Sequence, residues 1–180
     1  MQSVLITGGT GGLGSVVVPR LQRDYECVLL KRQLVVPPGP HHALVMLAGG
    51  FAMGHDWEAM LEANVMSAAR AIDAALPQLA NGGRIVAISS AASLTYPAGL
   101  AAYTASKSAL NAIVKTLAND LASRKITANA LLPTALDTPA MRDAMPREQL
   151  VPLERVAEWI AFLLSDKGVG VTGQLITLGT

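Results

Sequence analysis

The run Thr7 to Gly14, TGGTGGLG, constrains this chain more than any other stretch. It follows a short apolar, β-branched segment, Val4 to Thr7. It leads into a segment of helical spacing, with Val17, Val18 and Leu21 set among Arg20, Gln22 and Arg23. Strand, glycine loop and helix in that order is the context in which a glycine pattern predicts a dinucleotide site. Gly9, Gly11 and Gly14 satisfy G-x-G-x-x-G, and Gly8, Gly12 and Gly14 give a second register, T-G-x-x-x-G-x-G. In either register, missing side chains let a pyrophosphate reach backbone amides at a helix N-terminus, where the dipole favours anions. Gly8, Thr10, Gly12, Leu13 and Gly14 are the candidate residues for that contact. A plain flexible turn is the alternative.

Glu26 to Leu30 reads as a second strand and ends in Lys31-Arg32. A basic neighbourhood there suits the extra phosphate of NADP, where an acid would suit the ribose of NAD. Two solvated charges leaving a strand are the simpler reading. Gln33 to His42, QLVVPPGPHH, then leads almost directly into a third strand, Ala43 to Leu47, followed by Ala48, Gly49 and Gly50. Pro37, Pro38, Gly39 and Pro40 forbid a regular helix in this link. Ten extended residues reach roughly 33 Å, enough to run back along a strand and past two strand spacings. The edge of the sheet is therefore expected to be shortened, a strand and its flanking helices being replaced by an extended tether. His41 and His42 are expected as solvated loop residues, with no partner cluster for a metal.

Asp56 to Leu76 reads as one long helix with Asp56 as N-cap. Asn64 falls on its apolar side, either as a local hydrogen-bonding group or as a placed polar relay. Asn81-Gly82-Gly83 is expected to turn the chain into a fourth strand, Arg84 to Ile88, which delivers Ser89 and Ser90. A helix from about Ala102 to Leu121, a fifth strand from Ile126 to Leu132, a helix from Glu154 to Ser165 and a strand from Gln174 to Leu178 complete the pattern. Repeated strand–helix alternation predicts an α/β, doubly wound parallel sheet covered on both faces. Ligands bind beyond the carboxyl ends of such strands. Gly8 to Gly14, Ala48 to Gly50, Ser90 and Pro133 to Thr138 all follow strands and gather at that rim.

Tyr103 and Lys107 lie four apart on the expected helix and so share a face. A phenol has an ordinary pKa of about 10, and a neighbouring ammonium favours its phenolate. Lys107 is thus expected to pull the Tyr103 pKa down and make the phenol usable for proton transfer. Ser90, just after a strand, is placed to hydrogen-bond a reacting oxygen.

Length and composition narrow the class. The 180 residues suit one domain, 1–180, and the net charge of +1 gives no electrostatic footprint for nucleic acid or a membrane surface. Cys27 is the lone cysteine and reads as a core residue. The N-terminus lacks the pattern of a signal peptide and no apolar run approaches about 20 residues, so a cytoplasmic protein is expected.

In combination and order, TGGTGGLG, Leu47-Ala48-Gly49-Gly50, Asn64, Ile88-Ser89-Ser90, Tyr103-Thr104-Ala105-Ser106-Lys107 and VTGQLITL resemble the short-chain dehydrogenase/reductase family. The resemblance implies a Rossmann-like fold, NADP or NAD as cofactor, and a tetrad of Asn64, Ser90, Tyr103 and Lys107. Ser90 would hold a substrate oxygen and Tyr103 would pass a proton. Lys107 would bind the nicotinamide ribose, and Asn64 would hold a water. Ala48, Gly49, Pro133 and Thr138 would also border the cofactor. A small carbonyl or alcohol substrate is implied, as is a homodimer or homotetramer built through the helices of Asp56 to Leu76 and Ala102 to Leu121. Phe51, Met141 and Met145 are candidates for the substrate pocket.

AGGFAMG and LPTALDTPAMRDAMP are similar to the dihydropteridine reductase branch, which makes a dihydropteridine-type reductase one alternative. Thr134 stands where the family usually has glycine, and the shortened segment lacks the family's acid after the third strand. A homologue with impaired cofactor binding, acting as a structural or regulatory partner, is the other alternative.

Overall fold

The computed structural model describes residues 1–144, 146 and 149–179. Six parallel strands form one sheet in the order β2-β1-β3-β4-β5-β6. They are β1 (Ser3–Thr7), β2 (Glu26–Leu30), β3 (His41–Met46), β4 (Leu79–Ile88), β5 (Thr127–Pro133) and β6 (Leu175–Leu178). The helices are α1 (Gly14–Leu21), α2 (Trp57–Leu61), α3 (Ser67–Ala75), α4 (Ala92–Thr95), α5 (Ala101–Asp120), α6 (Pro139–Ala144) and α7 (Leu153–Leu164). One face of the sheet packs Leu5, Leu44 and Ile85 against α3 and α5; the other packs Val4, Ile6 and Val86 against α1 and α7. Burial on both faces explains why these strands read as continuous apolar runs rather than alternating ones.

The shortened edge is present. β2 pairs only with β1, and Lys31 to Pro40 carries the chain back to β3 with no intervening strand. After a turn closed by Leu34 N–H to Lys31 C=O at 2.8 Å, Leu34 and Val36 pack onto the α3–α5 side of the core. Apolar tether residues thus cover surface that a crossover helix would otherwise bury.

His41 and His42 correct the expectation of a solvated pair. Both lie in β3, and His41 is buried, with Nδ1 2.7 Å from Ser3 Oγ and Nε2 2.9 Å from the Pro37 carbonyl. It ties the end of the tether to the start of β1. His42 stacks on Tyr25 at 5.5 Å and donates from Nε2 to the Leu164 carbonyl.

β4 also starts earlier than expected, at Leu79. The Asn81-Gly82-Gly83 stretch forms an irregularity within the pairing, which passes from His41↔Leu79 to Ala43↔Arg84. Gly82, at φ 77, supplies the left-handed residue this needs.

The segment after β3 is not one regular helix. Asp56 caps α2 as expected, its Oδ1 accepting from Ala59 N–H at 3.1 Å. A π turn, Glu62–Met66, then separates α2 from α3. Such turns accommodate one extra residue within a helix and concentrate at functional sites. Here the extra residue falls around the buried Asn64.

Candidate active site

The glycine loop crosses from β1 to α1. A Cβ on Gly8, at φ 69, would lie 2.5 Å from Ala48 N, so the loop and the end of β3 touch backbone to backbone. A Cβ on Gly14 would lie 2.4 Å from the Gly9 carbonyl carbon, which fixes α1 against the turn. Gly12 is different, since a Cβ there would meet nothing within 4 Å. Among the described residues, the amides of Gly12, Leu13 and Gly14 have no backbone acceptor, while Gly11 donates to Gly8 C=O and Ser15 to Gly11 C=O. Unspent donors at a helix N-terminus beside open space form an anion cradle. Thr10 is exposed on the same loop, and Leu13 is buried beneath it.

Ser90 follows β4 and is 5% exposed. Its position is set by a buried polar chain: Asn111 Nδ2 donates to Ser93 Oγ at 2.7 Å, and Ser93 Oγ donates to the Ser90 carbonyl at 2.6 Å. Tyr103 and Lys107 rise from the first turns of α5. The Lys107 ammonium, itself 5% exposed, donates to the Ile88 carbonyl at 3.0 Å and lies 5.9 Å from the centre of the Tyr103 ring. A Cβ on Gly49 would stand 3.1 Å from Lys107 Nζ and 2.8 Å from Asn64 Oδ1, so only glycine fits between them.

Asn64 is 1% exposed and acts on backbone. Its Oδ1 accepts from Gly50 N–H at 2.9 Å, and its Nδ2 donates to Gly50 C=O at 3.0 Å and to Ser106 Oγ at 3.0 Å. Ser106 Oγ donates onward to the Tyr103 carbonyl at 2.7 Å. Both amide donors are thus used within the protein. The side chain aligns the loop after β3 with the start of α5. The next residue of that loop, Phe51, meets Tyr103 edge-on at 4.9 Å.

The expected pKa direction for Tyr103 is reversed. Burial pushes the phenol above its ordinary value, and a hydrogen bond with Ser90 pulls it back only in part. The Lys107 charge does not offset this, because its ammonium is aimed at the Ile88 carbonyl and is itself desolvated. Burial lowers the Lys107 pKa to about 8. The site therefore holds a protonated phenol beside a weakened cation.

The rim brings together Ser90, Tyr103, Lys107, Asn64 and Gly49. Lys31, Arg32, Ala48 and Gly49 border a shared cavity next to Gly8. Pro133 ends β5, and Thr138 caps α6, its carbonyl accepting from Met141 and Arg142 N–H. Met145 lies outside the described residues. Ser93, Ser106 and Asn111 escaped the sequence reading. Ser106 sits inside the Tyr103–Lys107 stretch, but nothing local marks a serine as buried. Among the described residues no His, Cys, Asp and Glu side chains cluster closely enough to hold a metal ion, and no helix is long and apolar enough to cross a membrane.

The parallel α/β sheet thus carries the glycine loop and a Ser–Tyr–Lys group on one rim. Comparison with known proteins names the family. A family model described as enoyl-(acyl carrier protein) reductase matches residues 52–178, and the chain belongs to the short-chain dehydrogenase/reductase family. The 3-oxoacyl-(acyl-carrier-protein) reductase FabG of Staphylococcus aureus is 33% identical over 134 residues, which cover 67% of this chain and 54% of that protein. The chain thus spans about half the length of the curated relatives it matches. A short-chain dehydrogenase family protein from Francisella tularensis shares the fold, with a TM-score of 0.88 and 24% identity over 99% of this chain and 97% of that one. A blue fluorescent protein from a metagenomic library, solved in complex with NADPH, has a TM-score of 0.87 and 27% identity over 98% of this chain and 96% of its own.

Proposed function

We propose that this chain is an NADP-dependent oxidoreductase that interconverts a small carbonyl compound and its alcohol, with Tyr103 as the general acid and base. The observation that carries the reading is the convergence of the Ser90 and Tyr103 side chains above Lys107, on the rim that also bears the glycine cradle. The residues fit a dinucleotide: the free amides of Gly12 to Gly14 suit its pyrophosphate, and Gly49 lets the loop after β3 lie close against Asn64 and Lys107 beside the same rim. Lys31 and Arg32, exposed at the end of β2, suit a ribose phosphate and favour NADP over NAD. The NADPH bound in the metagenomic relative agrees with that choice. When bound, the nicotinamide supplies or accepts the hydride.

The protein's part is positioning and proton transfer. Ser90 holds the substrate oxygen against the Tyr103 hydroxyl. Burial keeps that phenol protonated at neutral pH, which readies it to give its proton to the oxygen of a carbonyl undergoing reduction. Lys107, fixed by Ile88, borders the same space and adds positive charge beside an oxygen that becomes anionic. Asn64 and Ser106 fix the backbone around the tyrosine. The exposed faces of α2, the π turn and α3, with Leu61 and Met66 outward, suit a homodimer or homotetramer contact.

Tyr103→Phe tests the assignment. It should lower NADPH-linked carbonyl reduction by at least about 10² to 10⁴ while NADPH still binds, the usual scale of general acid catalysis. Retained turnover in that variant would refute it.

A further inference from the structure

We infer that Glu62 accepts a hydrogen bond from the exocyclic amine of the adenine ring when the dinucleotide binds; the inference rests on the cofactor reading just proposed. A cavity of about 680 Å³ opens beside the glycine loop, between the ends of β2 and β3 and the helical segment that follows. Its lining includes Gly8, Lys31, Arg32, Leu34, Glu62 and Arg70. The volume lies in the range of about 300–1,000 Å³ typical of ligand pockets. A pyrophosphate on the Gly12 to Gly14 amides, with the nicotinamide beside Tyr103, leaves the adenosine end for this cavity.

The charge pattern of the cavity is informative. Glu62 is the one acid on its described lining, facing three cations. Lys31 and Arg32 take part in none of the ion pairs among the described residues, so they are available to phosphate. A carboxylate beside them repels a polyanionic cofactor unless it meets a hydrogen-bond donor. Adenine has such a donor in its exocyclic amine.

Glu62 is also held in place. The Arg70 fork contacts both carboxylate oxygens, Nη2 on Oε1 and Nη1 on Oε2 at 3.4 Å. Residues eight apart on an α-helix point about 80° away from each other. The π turn takes up one residue, so the two behave as residues seven apart and come within about 20°. The pair is half exposed, 59% for Glu62 and 49% for Arg70, and such pairs add little to stability. Its effect is to orient a carboxylate that keeps further lone pairs for a ligand.

Isothermal titration of the whole chain tests this with two probes, NADPH and reduced nicotinamide hypoxanthine dinucleotide phosphate, in which a carbonyl oxygen replaces the adenine amine. The wild-type chain should prefer NADPH by about tenfold or more, the scale of one hydrogen bond to a charged acceptor. Glu62→Gln, on an exposed side chain, should erase that preference, because an amide can also donate to the hypoxanthine oxygen. If NADPH binds but the wild type treats the probes alike, or Glu62→Gln leaves their ratio unchanged, the Glu62 contact is overturned and the cofactor reading stands. If NADPH does not bind the wild-type chain, both are overturned.

Discussion

Replacing Lys107 with methionine isolates the cost of burying its ammonium. The side chain is 5% exposed, its ammonium is bonded to the Ile88 carbonyl at 3.0 Å, and its pKa falls from 10.5 to about 8. Between those values the unfolded chain holds a proton that the native protein has released. Native stability therefore rises with pH across that window, and the burial penalty is at full size below about pH 8. A shift of this size corresponds to a penalty of about 3 kcal/mol. Integrating the proton linkage from about pH 7 to about pH 9.5 removes roughly 2 kcal/mol of it. Lys107→Met has no such group, and titrations common to both proteins cancel in the difference. Urea unfolding of both at a series of pH values should show the wild type gaining about 2 kcal/mol on the variant over that range. The lost bond to Ile88 adds an offset that does not vary with pH. A stability difference that is flat with pH refutes the claim that Lys107 is a desolvated cation.

Three further outcomes follow from the site. Gly12→Ala places a methyl where nothing lies within 4 Å, so stability should stay within about 0.5 kcal/mol while NADPH affinity falls at least about tenfold by titration calorimetry. An unchanged affinity would place the phosphates elsewhere. Asn64→Ala strips the Gly50 N–H and C=O and the Ser106 hydroxyl of their partner, and should cost about 2–4 kcal/mol in urea unfolding and slow turnover as well; a cost below about 1 kcal/mol would deny it that role. The kcat/KM for reduction should be level through neutral pH, because Tyr103 stays protonated, and should decline above about pH 8 as Lys107 loses its charge. A rise in reduction rate with pH across that range would contradict both assignments.

The parts of the fold legible in the sequence were those whose signal is local. The glycine loop, the apolar strands, the Asp56 cap and the helix carrying Tyr103 and Lys107 each follow from residues within one or two turns of one another. The missing outer strand was legible for the same reason, since Pro37, Pro38 and Pro40 forbid a helix outright. What failed depended on distant partners. His41 is buried because Ser3 and the Pro37 carbonyl receive its ring, and His42 is half-buried because Tyr25 stacks on it. Asn81-Gly82-Gly83 looks like a turn before a strand, yet pairing between Leu79 and His41 extends β4 upstream of it. The π turn at Asn64 has no compositional signature that separates it from the helix around it. Its consequences, the grip on Gly50 and the Glu62–Arg70 pair, were hidden with it.

The reversed pKa of Tyr103 shows why spacing alone does not assign catalytic direction. Two residues four apart on a helix fix proximity, but the sign of their coupling depends on where the ammonium points and how much water each group has lost. Here Nζ turns to Ile88, desolvation raises the phenol and lowers the amine, and the two effects bring both groups toward neutrality. A neutral phenol is a proton donor, and a substrate oxygen that gains charge during reduction is what it would serve. Alcohol oxidation needs the phenolate, which this burial disfavours. Added charge that favours ionised Tyr103, or a stronger hydrogen bond from Ser90, would be required first. Under the proposed function, these two shifts favour the reductive direction. Comparing the two directions at neutral pH, with NADPH and a carbonyl against NADP and the alcohol, should show reduction faster and only oxidation accelerating as pH rises. Equal pH dependence in both directions would mean that Tyr103 does not govern the proton.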